Sequence, residues 1–124
     1  MYFVKIRESM MIAHSLKSPF FGPAQNVHGA TFVVDVTFKT TNLDEHNVVI
    51  DIGLAHKIVK DILAKLDYQN LDDLDVFKGK LTTTEFIARY IYDEISLMMK
   101  NDFKGKINVS IKENPNAWAG FEED

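Results

Sequence analysis

A chain of 124 residues can build one domain around a sizeable core but not two, and 46% hydrophobic with 26% charged residues is far from the composition of a disordered segment. The 14 Lys and Arg residues against 18 Asp and Glu give a formal net charge of -4 with no basic run, so neither nucleic acid nor an anionic membrane surface is an expected partner. The lack of cysteine removes disulfides, thiolate metal sites and a thiol nucleophile together, while no basic-then-apolar leader and no apolar stretch near ~18 residues is present, which makes a cytoplasmic location the expectation.

From Phe3 to His14 apolar and polar residues alternate, which puts Val4, Ile6, Met10, Ile12 and His14 on one side of an extended strand. His14 then ends an inward-facing row. Lys17 to Val27 holds Pro19, Gly22 and Pro23 with no period and reads as a loop long enough to serve function. In a second strand over His28 to Thr40, Phe32, Val34, Val36 and Phe38 share one face with His28 and Ala30, and Asp35, Thr37 and Lys39 the other. Turn residues at Asn42 to Asn47 lead to Val48-Val49-Ile50, expected as a short third strand pairing with the second.

Leu54, Ile58, Ile62 and Leu66 recur every four residues, widened by Val59 and Leu63, the pattern of an amphipathic helix. After a polar stretch with Asp72, Asp73, Asp75 and Gly79, Thr82 and Glu85 stand at capping-box spacing ahead of Ile87, Ile91, Ile95 and Met98. Ile107, Val109, Ile111 and Glu113 take alternate positions in a last strand, so Glu113 is expected to point inward. The fold class is α+β in a single domain over residues 1–124: a four-stranded antiparallel sheet with two helices on one face. Its other face, which includes Val33, is left uncovered, and oligomerisation would cover it.

Three polar side chains, His14, His28 and Glu113, thus stand at the ends of otherwise apolar rows. Burying a titratable group is costly unless it is paired or ligated. The plain explanation for each is a hydrogen bond at a sheet edge or exposure at a strand end, and for either histidine taken singly it is the favoured one.

The order Ala-His, loop, His-Gly, Val-Ile-Asp, Leu-Asp-x-x-Asn-Leu, Thr-Thr-Glu and a strand ending in Glu resembles the 6-pyruvoyl- and 6-carboxytetrahydropterin synthase family from Phe3 to about Trp118. The resemblance implies the T-fold, in which sheets of several subunits join into a barrel as a trimer or a face-to-face hexamer, with active sites between subunits. It implies that Glu113 grips the edge of a pterin ring, helped by Thr83 and Thr84. A carboxylate suits that edge, since its two oxygens can accept an amino group and an adjacent N-H in one plane.

The resemblance also implies zinc held by three histidines, of which His14 and His28 match two while Ala30 occupies the third position. His46 in a turn and His56 on a helix face are better read as solvated than as substitutes. The family's catalytic cysteine position is Ala24 here, and its Asp-His pair reads Asp67-Tyr68. An alanine moves no proton, and a phenol is a poor base at neutral pH. Two readings follow: a pterin-recognising relative that acts as a divergent lyase on a dihydropterin with Asp67 or Tyr68 as base, or a non-catalytic oligomeric module that binds a pterin or a purine-like ring.

Overall fold

The computed structural model describes all 124 residues. The two long alternating segments pair with each other along their whole length: β1 (Tyr2–His14) runs antiparallel to β2 (His28–Thr40), from Tyr2 opposite Thr40 to His14 opposite His28. Because side chains alternate across a strand, this register buries Ile6, Met10, Ile12 and His14 on one face together with Phe32, Val34, Val36 and Phe38. β3 (Gln69–Asn70) joins the outer edge of β1 in parallel at Ile12 and Ala13. On the other side β4 (Lys106–Asn114) runs antiparallel to β2, and β5 (Ala117–Glu122) antiparallel to β4. The sheet order is β3-β1-β2-β4-β5.

Two helices cover the buried face. α1 (Ile52–Leu63) packs on β1, and α2 (Thr84–Met99) on β4 and β5. α1 starts at Asp51, whose carboxylate accepts the Leu54 amide at 2.8 Å, and buries Ala55, Ile58, Val59, Ile62 and Leu63. Layered between helices and sheet is one contiguous cluster of 24 buried hydrophobic residues. At roughly 1.5–3 kcal/mol for each large side chain taken out of water, this layer holds the fold; surface pairs such as Lys57–Asp61 and Arg89–Asp93 add little. No helix is long and apolar enough to cross a membrane.

The α+β class with both helices on one face is as expected, but the sheet has five strands and is mixed, not four and antiparallel. Two edge elements account for this. β3 is only two residues long, and β5 follows the tight turn at Asn114–Ala117 and fits because Gly120 lies against the Val109 carbonyl, where a Cβ would collide. The Val48–Ile50 strand does not form. The amide of Asp44 bonds to the Val48 carbonyl at 3.1 Å, and the Asp44 carboxylate accepts the amides of His46 and Val48, so this segment closes on itself and sends Ile50 into the core. Leu54 and Met98 prove exposed, with Ala55 and Met99 taking the inner positions one residue on. The Lys17–Val27 loop is partly wound, with a 3-10 turn at Pro19–Gln25.

The helix-free face carries rows set by the same register. Phe3, Lys39 and Lys106 form one; Lys5, Thr37, Asn108 and Glu122 the next; Arg7, Asp35, Ser110 and Gly120 a third; and Ser9, Val33, Lys112 and Trp118 a fourth. Within it Arg7 forks onto Asp35, its Nε at 2.7 Å and Nη2 at 3.0 Å from the two carboxylate oxygens.

Candidate ligand-binding site

The full-length register of β1 and β2 brings His14 and His28 opposite each other at one end of the sheet. Their rings meet edge-on with centroids 4.6 Å apart, and Phe32 stands against His14 from the core side at 6.1 Å. His14 is 1% exposed. Its Nδ1 lies 3.0 Å from both the carbonyl oxygen and the hydroxyl of Thr82. A carbonyl only accepts, so Nδ1 carries the proton and Nε2 keeps its lone pair. His28 is arranged alike, with Nδ1 donating to the Asn26 carbonyl at 2.8 Å.

Burial pushes the His14 pKa below the ordinary imidazole value, and the neighbouring His28 pushes the same way; the Thr82 carbonyl and the charges of Asp72 and Glu113 oppose the shift. At neutral pH the ring is therefore an uncharged acceptor at Nε2. Asp72 is itself held by the Ser15 hydroxyl at 2.5 Å, which ties the end of β1 to the segment ahead of α2.

The Thr82–Thr84 run divides its tasks differently from the sequence expectation. Thr83, not Thr82, caps α2, its hydroxyl accepting the Phe86 amide at 3.2 Å. Thr82 is thereby free to hold His14. Thr84 is 3% exposed and its hydroxyl has no partner within the chain. Thr82, Ser15 and Asp72 are the site residues sequence reasoning missed. A threonine at a helix start is a sufficient cap by itself, so nothing in the pattern pointed to the histidine.

Glu113 corrects a second expectation. It shares the parity of Ile107, Val109 and Ile111, yet it is exposed rather than inward. The register of β4 with β5 shifts between Lys112 and Asn114, and pairing with β2 ends at Lys112. Glu113 is the residue at the irregularity, without a ladder partner on either side. Such bulges re-aim a side chain, and this carboxylate makes no ion pair or side-chain hydrogen bond while remaining within electrostatic reach of His14.

Asp67 and Tyr68 sit elsewhere, along the outer edge of β1. The Asp67 carboxylate accepts the Met11 amide at 2.8 Å, and the Tyr68 amide donates to the Met11 carbonyl at 2.7 Å. Tyr68 has a φ of 60° and is 80% exposed. Neither side chain is bonded to His14, His28 or Glu113. Ala24 is in the loop between β1 and β2, its carbonyl accepting the Leu16 amide at 3.0 Å. Ser15 to Val27 contains no Cys, His, Asp or Glu, and Lys17 is its one titratable side chain.

The donor set can be tested against a metal. Two imidazoles on one zinc, each at about 2.0–2.1 Å through nitrogen, would put ring centres about 5 Å apart, which the His14–His28 pair approaches. Both rings donate through Nδ1 to a backbone carbonyl, the outer-shell arrangement that frees Nε2 for an ion. Yet no group of three His, Cys, Asp or Glu side chains stands at metal-holding spacing, and Ala30 offers only a methyl. His46 lies by Glu45 in its exposed turn, and His56 is bonded to Glu8 at 2.7 Å across α1 and β1. The chain's own residues fall one ligand short of a catalytic zinc site.

The sequence profile described as 6-pyruvoyl tetrahydropterin synthase matches residues 3–124. The chain belongs to that family. Among its members, the 6-pyruvoyl tetrahydrobiopterin synthase of Drosophila melanogaster is 30% identical over 111 residues, covering 79% of this chain and 66% of that protein, just under two thirds of its length. The 6-carboxy-5,6,7,8-tetrahydropterin synthase of Bacillus subtilis is 25% identical over 129 residues, covering 97% and 86%. The 6-pyruvoyl tetrahydropterin synthase structure from Caenorhabditis elegans superposes with a TM-score of 0.86 at 25% identity, over 99% of this chain and 96% of that one. The fold is thus shared over nearly the whole of both chains.

Proposed function

We propose that this tetrahydropterin synthase-like chain recognises the edge of a pterin ring through Glu113, in a site completed by His14, His28 and the start of α2 at Thr83 and Thr84. The observation that carries the reading is Glu113 itself: an exposed carboxylate on a bulge, free of intramolecular partners and within electrostatic reach of His14, whose ring, like that of His28, keeps an unprotonated Nε2. Two coplanar acceptor oxygens match an amino group and a neighbouring ring N-H, and such charge-assisted bonds are roughly twice as strong as neutral ones. The unpartnered Thr84 hydroxyl is consistent with a polar group still to be satisfied.

The site belongs to an assembly, a trimer or hexamer. The outer edge of β1 from Tyr2 to Met10 has no strand beside it, β5 is the other free edge, and the face opposite the helices is uncovered. Joining such edges between copies removes unpaired backbone groups. None of the larger clefts of the single chain is lined by His14, His28 or Glu113, which supports a site that a neighbouring copy helps to enclose. Asp67 and Tyr68, on the edge of β1, would then serve a neighbour's site.

One observation favours binding without the family's triphosphate elimination. The loop ahead of β2 has no cysteine, histidine or carboxylate, and the carboxylate of Asp67 is already bonded to a main-chain amide. The alternative is a divergent lyase acting on a dihydropterin through one of those two residues. Zinc, if taken up, would rest on two imidazoles and be weakly held.

A fluorescence titration with neopterin tests the reading, with light scattering to follow assembly. Saturable binding by the wild type, lost in Glu113→Ala at unchanged particle mass, is the expected result; equal affinity in both proteins refutes it. Incubation with a dihydropterin triphosphate should release no triphosphate, and stoichiometric release would instead establish the lyase.

A further inference from the structure

A second feature lies at the other end of the strands and on the opposite face. Lys39 on β2 stands directly across from Lys106 on β4, and Lys5 on β1 is diagonal to Lys39. Like charges directly opposite in an antiparallel pair destabilise it. Neither Lys39 nor Lys106 has a carboxylate as ion-pair partner, whereas Asp35 is occupied by Arg7 and more distantly by Lys5, 3.7 Å away. The register gives this face five cations, Lys5, Arg7, Lys39, Lys106 and Lys112, against two acids, Asp35 and Glu122. A chain of net charge -4 therefore concentrates positive charge on one surface.

The surface is also shaped. A groove of about 580 Å³ is lined by Lys5, Thr37, Lys39, Asn108, Ser110 and Trp118, with Glu122 as its acid. Neutral hydroxyl and amide donors beside ammonium groups are what a multiply charged oxyanion requires, since each of its oxygens accepts several bonds. The only opposing charge in the groove stands across from Asn108, one row away from the Lys39–Lys106 pair.

We propose that Lys5 and Lys39 in the groove, with Lys106 beyond its rim and lining the adjoining cleft with Lys39, bind phosphate oxyanions on the helix-free face, carried by an inorganic polyphosphate or a nucleoside triphosphate. The anion relieves the Lys39–Lys106 repulsion, and the row of neutral donors beside it completes its shell. The site is separate from the one at His14: nine residues of β1 at ~3.3 Å each put it about 30 Å away along the strand. It does not depend on pterin recognition.

The test uses the full chain, with thermal unfolding and calorimetric titration in sodium tripolyphosphate and, separately, ATP, each against sodium chloride of equal ionic strength. Tripolyphosphate should raise the wild-type Tm saturably beyond the chloride control. The double variant Lys39→Gln, Lys106→Gln should lose at least tenfold in affinity while melting no lower than wild type in chloride, because it has shed a repulsion. Lys60→Gln on the exposed side of α1 should respond as wild type. ATP binding more tightly than tripolyphosphate supports a nucleotide on the Trp118 side of the groove, and equal binding supports the phosphate chain alone. An equal anion response in wild type and double variant overturns the proposal. So does the lack of any anion-specific rise with a changed particle mass in the double variant, which would make these lysines contacts that set the assembly and not an anion site.

Discussion

Thr82 presents its carbonyl oxygen and its hydroxyl to the same atom, Nδ1 of His14, each at 3.0 Å. The carbonyl fixes the proton on Nδ1, which leaves Nε2 of the buried ring unprotonated. Long-range proton–nitrogen NMR at pH 7.5 should therefore show His14 as the Nδ1-H tautomer. Thr82→Val should keep that tautomer, since the carbonyl remains, and lose about 1 kcal/mol of stability with the hydroxyl's bond. An Nε2-H signal in the wild type would contradict the assignment.

Zinc uptake follows from the donor count. Wild-type chain dialysed against one equivalent of zinc and then buffer should retain well under one ion per chain, because two imidazoles are its only aligned donors. Ala30 shares the strand face of His28 two residues away, so Ala30→His adds a third imidazole on that face and should bring retention close to one equivalent. Full occupancy of the wild type would mean that a further side chain, from this chain or a neighbour, completes the set.

Acid stability should report on the other face of the sheet. The Arg7 guanidinium, bonded to Asp35, holds that carboxyl below its ordinary value, with Lys5 adding to the effect against the opposing cost of burial. A depressed carboxyl stabilises the fold fully above its unfolded pKa near 3.8 and loses that contribution as pH falls through the folded value. Asp35→Asn should accordingly melt a few degrees below wild type at pH 7, and the gap should narrow below about pH 4. A gap independent of pH would show that the variant's defect is one of packing and not of charge.

Much of this architecture is written in periods of two and near four. β1 and β2 were legible because Ile6, Met10, Ile12, Phe32, Val34, Val36 and Phe38 alternate without a break, and that same parity places His14 beside His28. Local competition defeated the reading elsewhere. Val48-Val49-Ile50 has the β-branched composition of a strand, but Asp44 takes up both the amide and the carbonyl of Val48. β5 offers only Phe121 as a large apolar residue on its helix side, so alternation alone could not reveal it. Three consecutive threonines can each cap a helix, and only the tertiary partner His14 decides that Thr83 does. For Glu113 the parity was right and the burial was not, since an irregularity between β4 and an unforeseen β5 leaves no trace in a single strand's pattern.

Recognition of a ring edge by Glu113 is tested most directly by swapping hydrogen-bond polarity on both sides. Lumazine carries a carbonyl where pterin carries its 2-amino group, so it faces the carboxylate with an acceptor instead of a donor. Calorimetric titration of wild type and Glu113→Gln with both heterocycles should give a wild-type preference for pterin of at least ~100-fold, which the glutamine, with one amide donor, reduces below ~10-fold or inverts. The same preference in both proteins would contradict recognition through Glu113.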